Sequence, residues 1–286
     1  LSINLLFIFK AIVIGIVEGF TEFLPVSSTG HMIIVGHLIG FMEGAIPSSL
    51  YSKEYISMFE VVIQLGAILA IVVLYWKKIM DTLINFSPKH KNSGFMFWSK
   101  IIVACIPAGI LGVKFDDVIT ENLFHAVPVT IALFVGAIWM IYAENKFKGK
   151  SITKSIDDIS FKQAFLIGIF QCLALWPGMS RSASTIIGGW IAGLSTVAAA
   201  EFSFFLALPV MVGASLVSFI KMQITLNSVQ IIALTLGFIV SFIVAIVVVD
   251  KFIGYLKNKD MKVFAYYRII ISIILCVLFL TKIISI

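Results

Sequence analysis

Runs of apolar residues long enough to cross a lipid bilayer recur along this chain, near 57–76, 98–115, 124–143, 200–220, 229–249 and 264–285. A helix needs about 17–25 mostly apolar residues to traverse the hydrocarbon layer, so the pattern predicts six transmembrane helices. Two more segments, roughly 5–41 and 161–193, are equally apolar but are interrupted midway by Pro, Gly and hydroxyl residues. Irregular backbone at membrane depth persists only where it is buried in protein or lines a wet cavity. Both segments therefore read as re-entrant helix–loop–helix hairpins. The composition agrees, because 60% hydrophobic and 13% charged residues leave too little polar surface for a water-soluble domain. The expected fold is all-α and polytopic, a single membrane domain over 1–286.

Charge placement orients that domain. The loops 77–100, 144–162 and 250–263 carry fourteen lysines, against five on the opposite side (Lys10, Lys53, Lys114, Lys221 and Lys282). Basic residues collect on the cytoplasmic side. Both termini are thus expected outside, with the first hairpin entering from outside and the second from inside. The net charge of +6 is too diffuse for a nucleic-acid partner. Cys105, Cys172 and Cys276 lie far apart with no metal-ligand spacing and read as packing residues. The first apolar stretch lacks a small-residue cleavage site and is not read as a removable signal peptide.

Opposed hairpins imply an inverted-topology repeat, about 1–145 and 155–286. FKAIVIGIVEGFTEFLPVSS (9–28) parallels FKQAFLIGIFQCLALWPGMS (161–180), with a one-residue gap before the proline that matches Pro25 to Pro177 and Ser28 to Ser180. Glu60 and Glu201 correspond likewise, each opening the span after its hairpin. Repeats of this kind place a site at their interface, near the bilayer midplane. The halves differ in polar groups. The first holds Glu18, Glu22 and His31; the second has Gln171 and Leu175 at the glutamate positions and adds Arg181.

Glu18 and Glu22, four residues apart, share a helix face. Two carboxylates that close in low dielectric share a proton, face a cation or hold a metal; the plainer alternative is that they cap helix ends. Pro25 ends the incoming helix, and Ser27, Ser28 and Thr29 follow where the next begins. One hydroxyl suffices for an N-cap, which leaves others for a ligand. His31 is either a satisfied interior imidazole or the proton partner of Ser28. In PGMSRSAST (177–185), Gly178 permits tight backbone, while Ser180, Ser182, Ser184 and Thr185 surround Arg181. An arginine at membrane depth stays charged and needs an anion. Amides, hydroxyls and a guanidinium at a helix start make a phosphate cradle, unless Arg181 only pairs with a glutamate of the other hairpin. Glu60, with Gln64, and Glu201 are either supporting or merely interfacial positions. His37, His90 and His125 show no ligand spacing, and Asp116, Asp117 and Glu121 read as a solvated outer loop.

EGFTEFLPVSSTGH and PGMSRSAST closely resemble the two signatures of the undecaprenyl-diphosphate phosphatase family, also called bacitracin-resistance proteins. FEVVIQLGAILAIVV (59–73), IPAGILGVKFDD (106–117) and FSFFLALPVMVGAS (202–215) extend the resemblance over nearly the whole chain. It implies an enzyme of the bacterial cell membrane that removes the terminal phosphate of undecaprenyl diphosphate, recycling the lipid carrier for cell-wall synthesis. On that reading Arg181, Ser180, Ser182 and Thr185 hold the phosphates, with Ser27, Thr29 and Gly178 also on the binding surface. Glu18 and Glu22 bind a divalent cation, Mg²⁺ or Ca²⁺, bridged to substrate. Ser28 is the preferred nucleophile, and Glu22 or His31 takes its proton. A nucleophilic His31 and a metal-bound water stay open. The polyprenyl tail lies among the spans, the site opens outward, and the partners are the polyprenyl diphosphate and membrane lipids, with a homodimer as the assembly to test. The rival class is a flippase of polyprenyl phosphates, built on the same broken helices. A hydroxyl beside a base separates the two, because transport needs no nucleophile.

Overall fold

Ser and Asn residues start many of the helices. Ser52, Ser93, Ser160 and Asn227 each accept from a backbone N–H three residues on, which satisfies one of the amides a helix start leaves open. At Ser160 and Asn227 the glutamine at the third helical position bonds back, completing a capping box. The computed structural model describes residues 3–41, 49–90, 93–221 and 225–281. Its helices are α1 (Ile3–Thr21), α2 (Ser28–Ile39), α3 (Lys53–Leu74), α4 (Trp76–Ile84), α5 (Gly94–Leu123), α6 (Ala126–Phe147), α7 (Phe161–Gln171), α8 (Arg181–Ile191), α9 (Thr196–Lys221), α10 (Ser228–Leu256) and α11 (Lys262–Leu280).

Seven of the described helices are long and apolar enough to cross a membrane: α1, α3, α5, α6, α9, α10 and α11. The chain is a multi-pass, all-helical membrane protein. Six of the seven are the spans expected from the apolar runs. The seventh, α1, is the first arm of the broken segment 5–41, drawn as 19 continuous helical residues. Both broken segments fold as helix–turn–helix. α1 stops at Thr21, four residues before Pro25, because the chain must leave helical geometry ahead of a proline. α7 tightens into a 3-10 turn, Cys172–Leu175, before Pro177.

Two expectations need correction. The lysine-rich stretch 77–100 is not all loop: α4 turns Ile79 and Thr82 inward and Lys77 and Asp81 outward, an amphipathic pattern that a count of lysines passes over. Asp116, Asp117 and Glu121 are exposed as expected but helical. No glycine or proline lies between Phe115 and Leu123, so α5 kinks at Phe115 (φ −117°, ψ 16°) and continues to Leu123. Lys91, Lys282 and the end of the last expected span, beyond 281, lie outside the described residues.

In lipid, helices associate through close packing more than through burial from water. α1 packs along α10 and α7 along α5, each at a glycine. A Cβ on Gly15 would sit 2.6 Å from the Gly237 carbonyl oxygen, and one on Gly168 would sit 2.4 Å from that of Ala104. The hairpin mouths close alike: Lys10 Nζ donates to Gly40 O at 3.0 Å and Gln163 Nε2 to Ala192 O at 2.9 Å. Behind the first turn, Phe23 meets Phe204 edge-on at 5.3 Å within a fully buried cluster that includes Phe205 and Leu206. The lysine-rich connections meet at one end of the bundle. Lys78 pairs with Asp157 at 2.5 Å, Lys100 donates to Asp157 O at 3.0 Å, and Lys148 pairs with Glu144 and Asp260.

Candidate active site

The two turns are built from the same local conformation. Ser27 and Ser180 are the N-caps of α2 and α8, with φ/ψ of 72°/103° and 70°/116°. Among the described residues they are the only non-glycines at positive φ. Backbone of that kind costs about 1–3 kcal/mol per residue and persists only where surrounding structure holds it. Each serine hydroxyl accepts from the amide three residues on, Gly30 and Ala183. This revises the repeat alignment. Ser27, not Ser28, is the counterpart of Ser180, and no gap is needed: the serines lie 153 positions apart, as do Gly15 and Gly168, and Glu18 and Gln171. Ser28 then corresponds to Arg181, each opening its helix.

Those two residues converge on one carboxylate. Ser28 Oγ donates to Glu22 Oε2 at 2.6 Å, the short length of a charge-assisted bond. Arg181 Nη2 donates to Glu22 Oε1 at 3.2 Å. Glu22 lies in the turn just after α1, its side chain 5% exposed, so the contact is well shielded from solvent. Arg181 also donates Nη1 to Ser203 O at 2.9 Å and stands over the Phe23 ring, 5.5 Å from its centroid. Its Nε has no hydrogen-bond partner among the described residues. Thr185 bonds Ser203 Oγ at 2.6 Å, steadying that anchor. Ser182 donates to Leu24 O at 2.8 Å and meets Ser180 Oγ at 3.0 Å, tying one turn to the other. Gly178 (φ 100°) could carry no Cβ, which would fall 2.4 Å from Val129 O. Thr29 sits half-buried in the first turn of α2.

His31 directs its two ring nitrogens to groups other than the Ser28 hydroxyl. Its Nδ1 lies 2.7 Å from the Ser27 carbonyl, which can only accept, so Nδ1 bears a hydrogen; Nε2 meets the Tyr267 hydroxyl at 2.7 Å. Both ring nitrogens are thereby occupied, and the carboxylate that faces the Ser28 hydroxyl is that of Glu22. Glu18 is fully buried; among the described residues no donor reaches its carboxylate oxygens, and the Glu22 carboxylate lies close enough to share a proton with it. Its charged neighbours are Glu22, Glu60 and Arg181. A buried carboxylate left unsatisfied fits a cation or a proton, so the donor set suits the expected divalent ion. Among the described residues, no three His, Cys, Asp or Glu side chains converge as a complete metal cage; the remaining ligands would have to be phosphate and water. Glu60 is an electrostatic neighbour of Glu18, whereas Glu201 takes the Tyr75 hydroxyl at 3.4 Å and sits near Lys78 and Lys257.

Tyr267, Arg268 and Ser203 border this constellation and were not among the sequence candidates. Arg268 carried a usable signal: it and Arg181 are the chain's two arginines, and both fall in apolar segments.

With the geometry in hand, comparison with known proteins is informative. A profile of the family described as "Bacitracin resistance protein BacA" matches residues 11–274. The "Undecaprenyl-diphosphatase" of Clostridium novyi is 64% identical over 99% of each chain. "Undecaprenyl-diphosphatase 2" of Clostridium acetobutylicum is 59% identical over 99% of each. The "Undecaprenyl-diphosphatase" of Clostridium tetani is 52% identical over 99% of this chain and 100% of its own.

Proposed function

Because the chain belongs to the bacitracin resistance protein BacA family, we propose that it is a membrane phosphatase that hydrolyses undecaprenyl diphosphate to undecaprenyl phosphate and inorganic phosphate. The observation that carries the chemistry is the Ser28 hydroxyl donating to Glu22 at 2.6 Å with Arg181 on the other carboxylate oxygen. Transport alone would need the arginine but not a hydroxyl held against a base.

In the first step Ser28 Oγ attacks the terminal phosphorus while its proton passes to Glu22. The bond from that phosphorus to the bridging oxygen breaks, and undecaprenyl phosphate leaves with the electron pair. Glu22 hands that proton to the departing undecaprenyl phosphate. Water then attacks the phosphoserine and gives a proton to the freed Glu22 carboxylate. The bond from phosphorus to Ser28 Oγ breaks, and phosphate departs as Glu22 returns the proton to Ser28 Oγ. Arg181 neutralises charge on the phosphoryl oxygens, aided by the open amides at the starts of α2 and α8. Glu18 and Glu22 would hold a Mg²⁺ or Ca²⁺ ion, which when bound supplies further neutralisation of the diphosphate. His31 braces the first turn through Ser27 O and Tyr267.

The two helix–turn–helix segments are read as re-entrant hairpins of an inverted repeat, about 1–145 and 155–286. Matching caps at Ser27 and Ser180 and the paired closures at Lys10 and Gln163 support that reading. The common end reached by the lysine-rich connections supports a cytoplasmic face there, with both termini outside and the site opening outward. Phosphate release from purified protein given C55 or C15 diphosphate tests the activity, and repeating it in excess chelator tests the ion. Absence of release with either lipid overturns the phosphatase reading; full release in chelator overturns the ion.

A further inference from the structure

Four backbone carbonyls converge on one buried guanidinium. Arg268 of α11 is 0% exposed. Its Nη1 donates to Pro25 O at 3.4 Å and Met179 O at 3.1 Å; its Nη2 donates to Gly178 O at 2.9 Å and Ala132 O at 3.2 Å. Among the described residues no carboxylate pairs with it. Burying a charge is costly unless its donors are met, and here carbonyl dipoles from three parts of the chain meet both terminal nitrogens, while Nε finds no partner among the described residues. The planar fork is what lets one group reach all four. Space for it is left by Gly136 on α6, where a Cβ would stand 2.3 Å from Arg268 Nη2.

Three of the four carbonyls, those of Pro25, Gly178 and Met179, belong to the turns that carry the reacting groups, and the fourth, Ala132, lies in α6. Pro25 precedes Ser28 by three residues, and Met179 precedes Arg181 by two. One rigid group thus bonds the first turn and the second at once. We propose that Arg268 is a positioning residue for phosphoryl transfer, locking the turn of Ser28 to the turn of Arg181, with Gly136 as the gap that admits it. This rests on reading Ser28, Glu22 and Arg181 as the reacting groups. Arg268 touches no substrate; it sets the distance across which the nucleophile and the phosphate clamp act together.

The test compares purified Arg268→Lys, Gly136→Ala, their double variant and Ser28→Ala by kcat, KM and thermal unfolding. Lysine keeps the charge but gathers its three donors at one point, so the turns lose their common brace. A shift on the order of 1 Å at the reacting atoms costs about 10²-fold in kcat, with KM changing less than about threefold. Gly136→Ala keeps Arg268 yet displaces its fork, and should lower kcat at least about tenfold. The double variant should lose little more than Arg268→Lys alone, since both changes break one set of contacts. A folded single variant with native kcat, losses that simply multiply, or failure of both single variants to fold would each assign Arg268 to stability alone and overturn the proposal. A fully active Ser28→Ala would instead sink the underlying site reading. An inactive Ser28→Ala beside a native-rate Arg268→Lys would sink only this proposal.

Discussion

Glu22→Gln separates the two tasks assigned to that carboxylate. Glu22 has two oxygens and serves two donors, Ser28 at 2.6 Å and Arg181 at 3.2 Å. Glutamine offers a single oxygen, and its amide nitrogen would face a donor with another donor. As a base it is inert, and removing a general base costs about 10²–10⁴-fold in rate, equivalent to about 3–5 kcal/mol of transition-state stabilisation. Stability falls too, because breaking a buried ion pair costs about 3–5 kcal/mol. The Ser203 carbonyl, which Arg181 retains at 2.9 Å, keeps that loss toward the lower end. Single-turnover phosphate release with undecaprenyl diphosphate in mixed micelles reads the rate, and thermal unfolding of the same preparation reads the stability. The expected result is a folded, less stable protein whose chemical step is slower by about 10³-fold. A destabilised variant with a native chemical step would refute the base assignment and leave Glu22 as the partner of Arg181 only.

Arg181→Lys keeps the charge but loses the planar fork that spans Glu22 and Ser203, so turnover should fall more than about tenfold; a near-native rate contradicts a bidentate clamp. Cysteines at Ser87 and Ser151, in a background without the native cysteines, should resist an impermeant thiol reagent in intact cells, while one at Ser49 should react. Strong labelling at either of the first two positions overturns the orientation. The Lys148 ammonium holds the Asp260 carboxyl below its ordinary value of 3.8. A depressed carboxyl contributes stability above its ordinary value and loses it as pH falls through the lowered one. Asp260→Asn should therefore lower the melting temperature slightly at pH 7 and not at all in strong acid; an equal effect at both extremes denies the ion pair a role.

The spans were legible because bilayer thickness imposes a length on apolar runs, and the two breaks were legible because Pro25 and Pro177 interrupt them. Local chemistry also singled out Glu22, Ser28 and Arg181, which the fold brings into contact with one another. What failed was register. Matching prolines placed Ser28 opposite Ser180, whereas the turns align by their caps, Ser27 with Ser180, because the backbone leading into each helix start sets the geometry. A histidine three residues past a serine looked like its base, yet Ser27 O and Tyr267 occupy both ring nitrogens. Tyr267 and Arg268 reach the first turn from more than 230 positions further along the chain, and no short motif reports a contact at that distance. α4 was hidden for another reason: its amphipathic pattern lies within a stretch weighed only for charge.

The central claim is that Ser28 takes the phosphoryl group, and rapid quenching with substrate labelled in its terminal phosphate, followed by peptide mapping, tests it most directly. The account predicts an acid-stable phosphoserine on the peptide containing Ser28, absent in Ser28→Ala, and retention of configuration when the terminal phosphorus is made chiral, since two displacements occur there. A phosphohistidine at His31, or inversion at phosphorus, would contradict it.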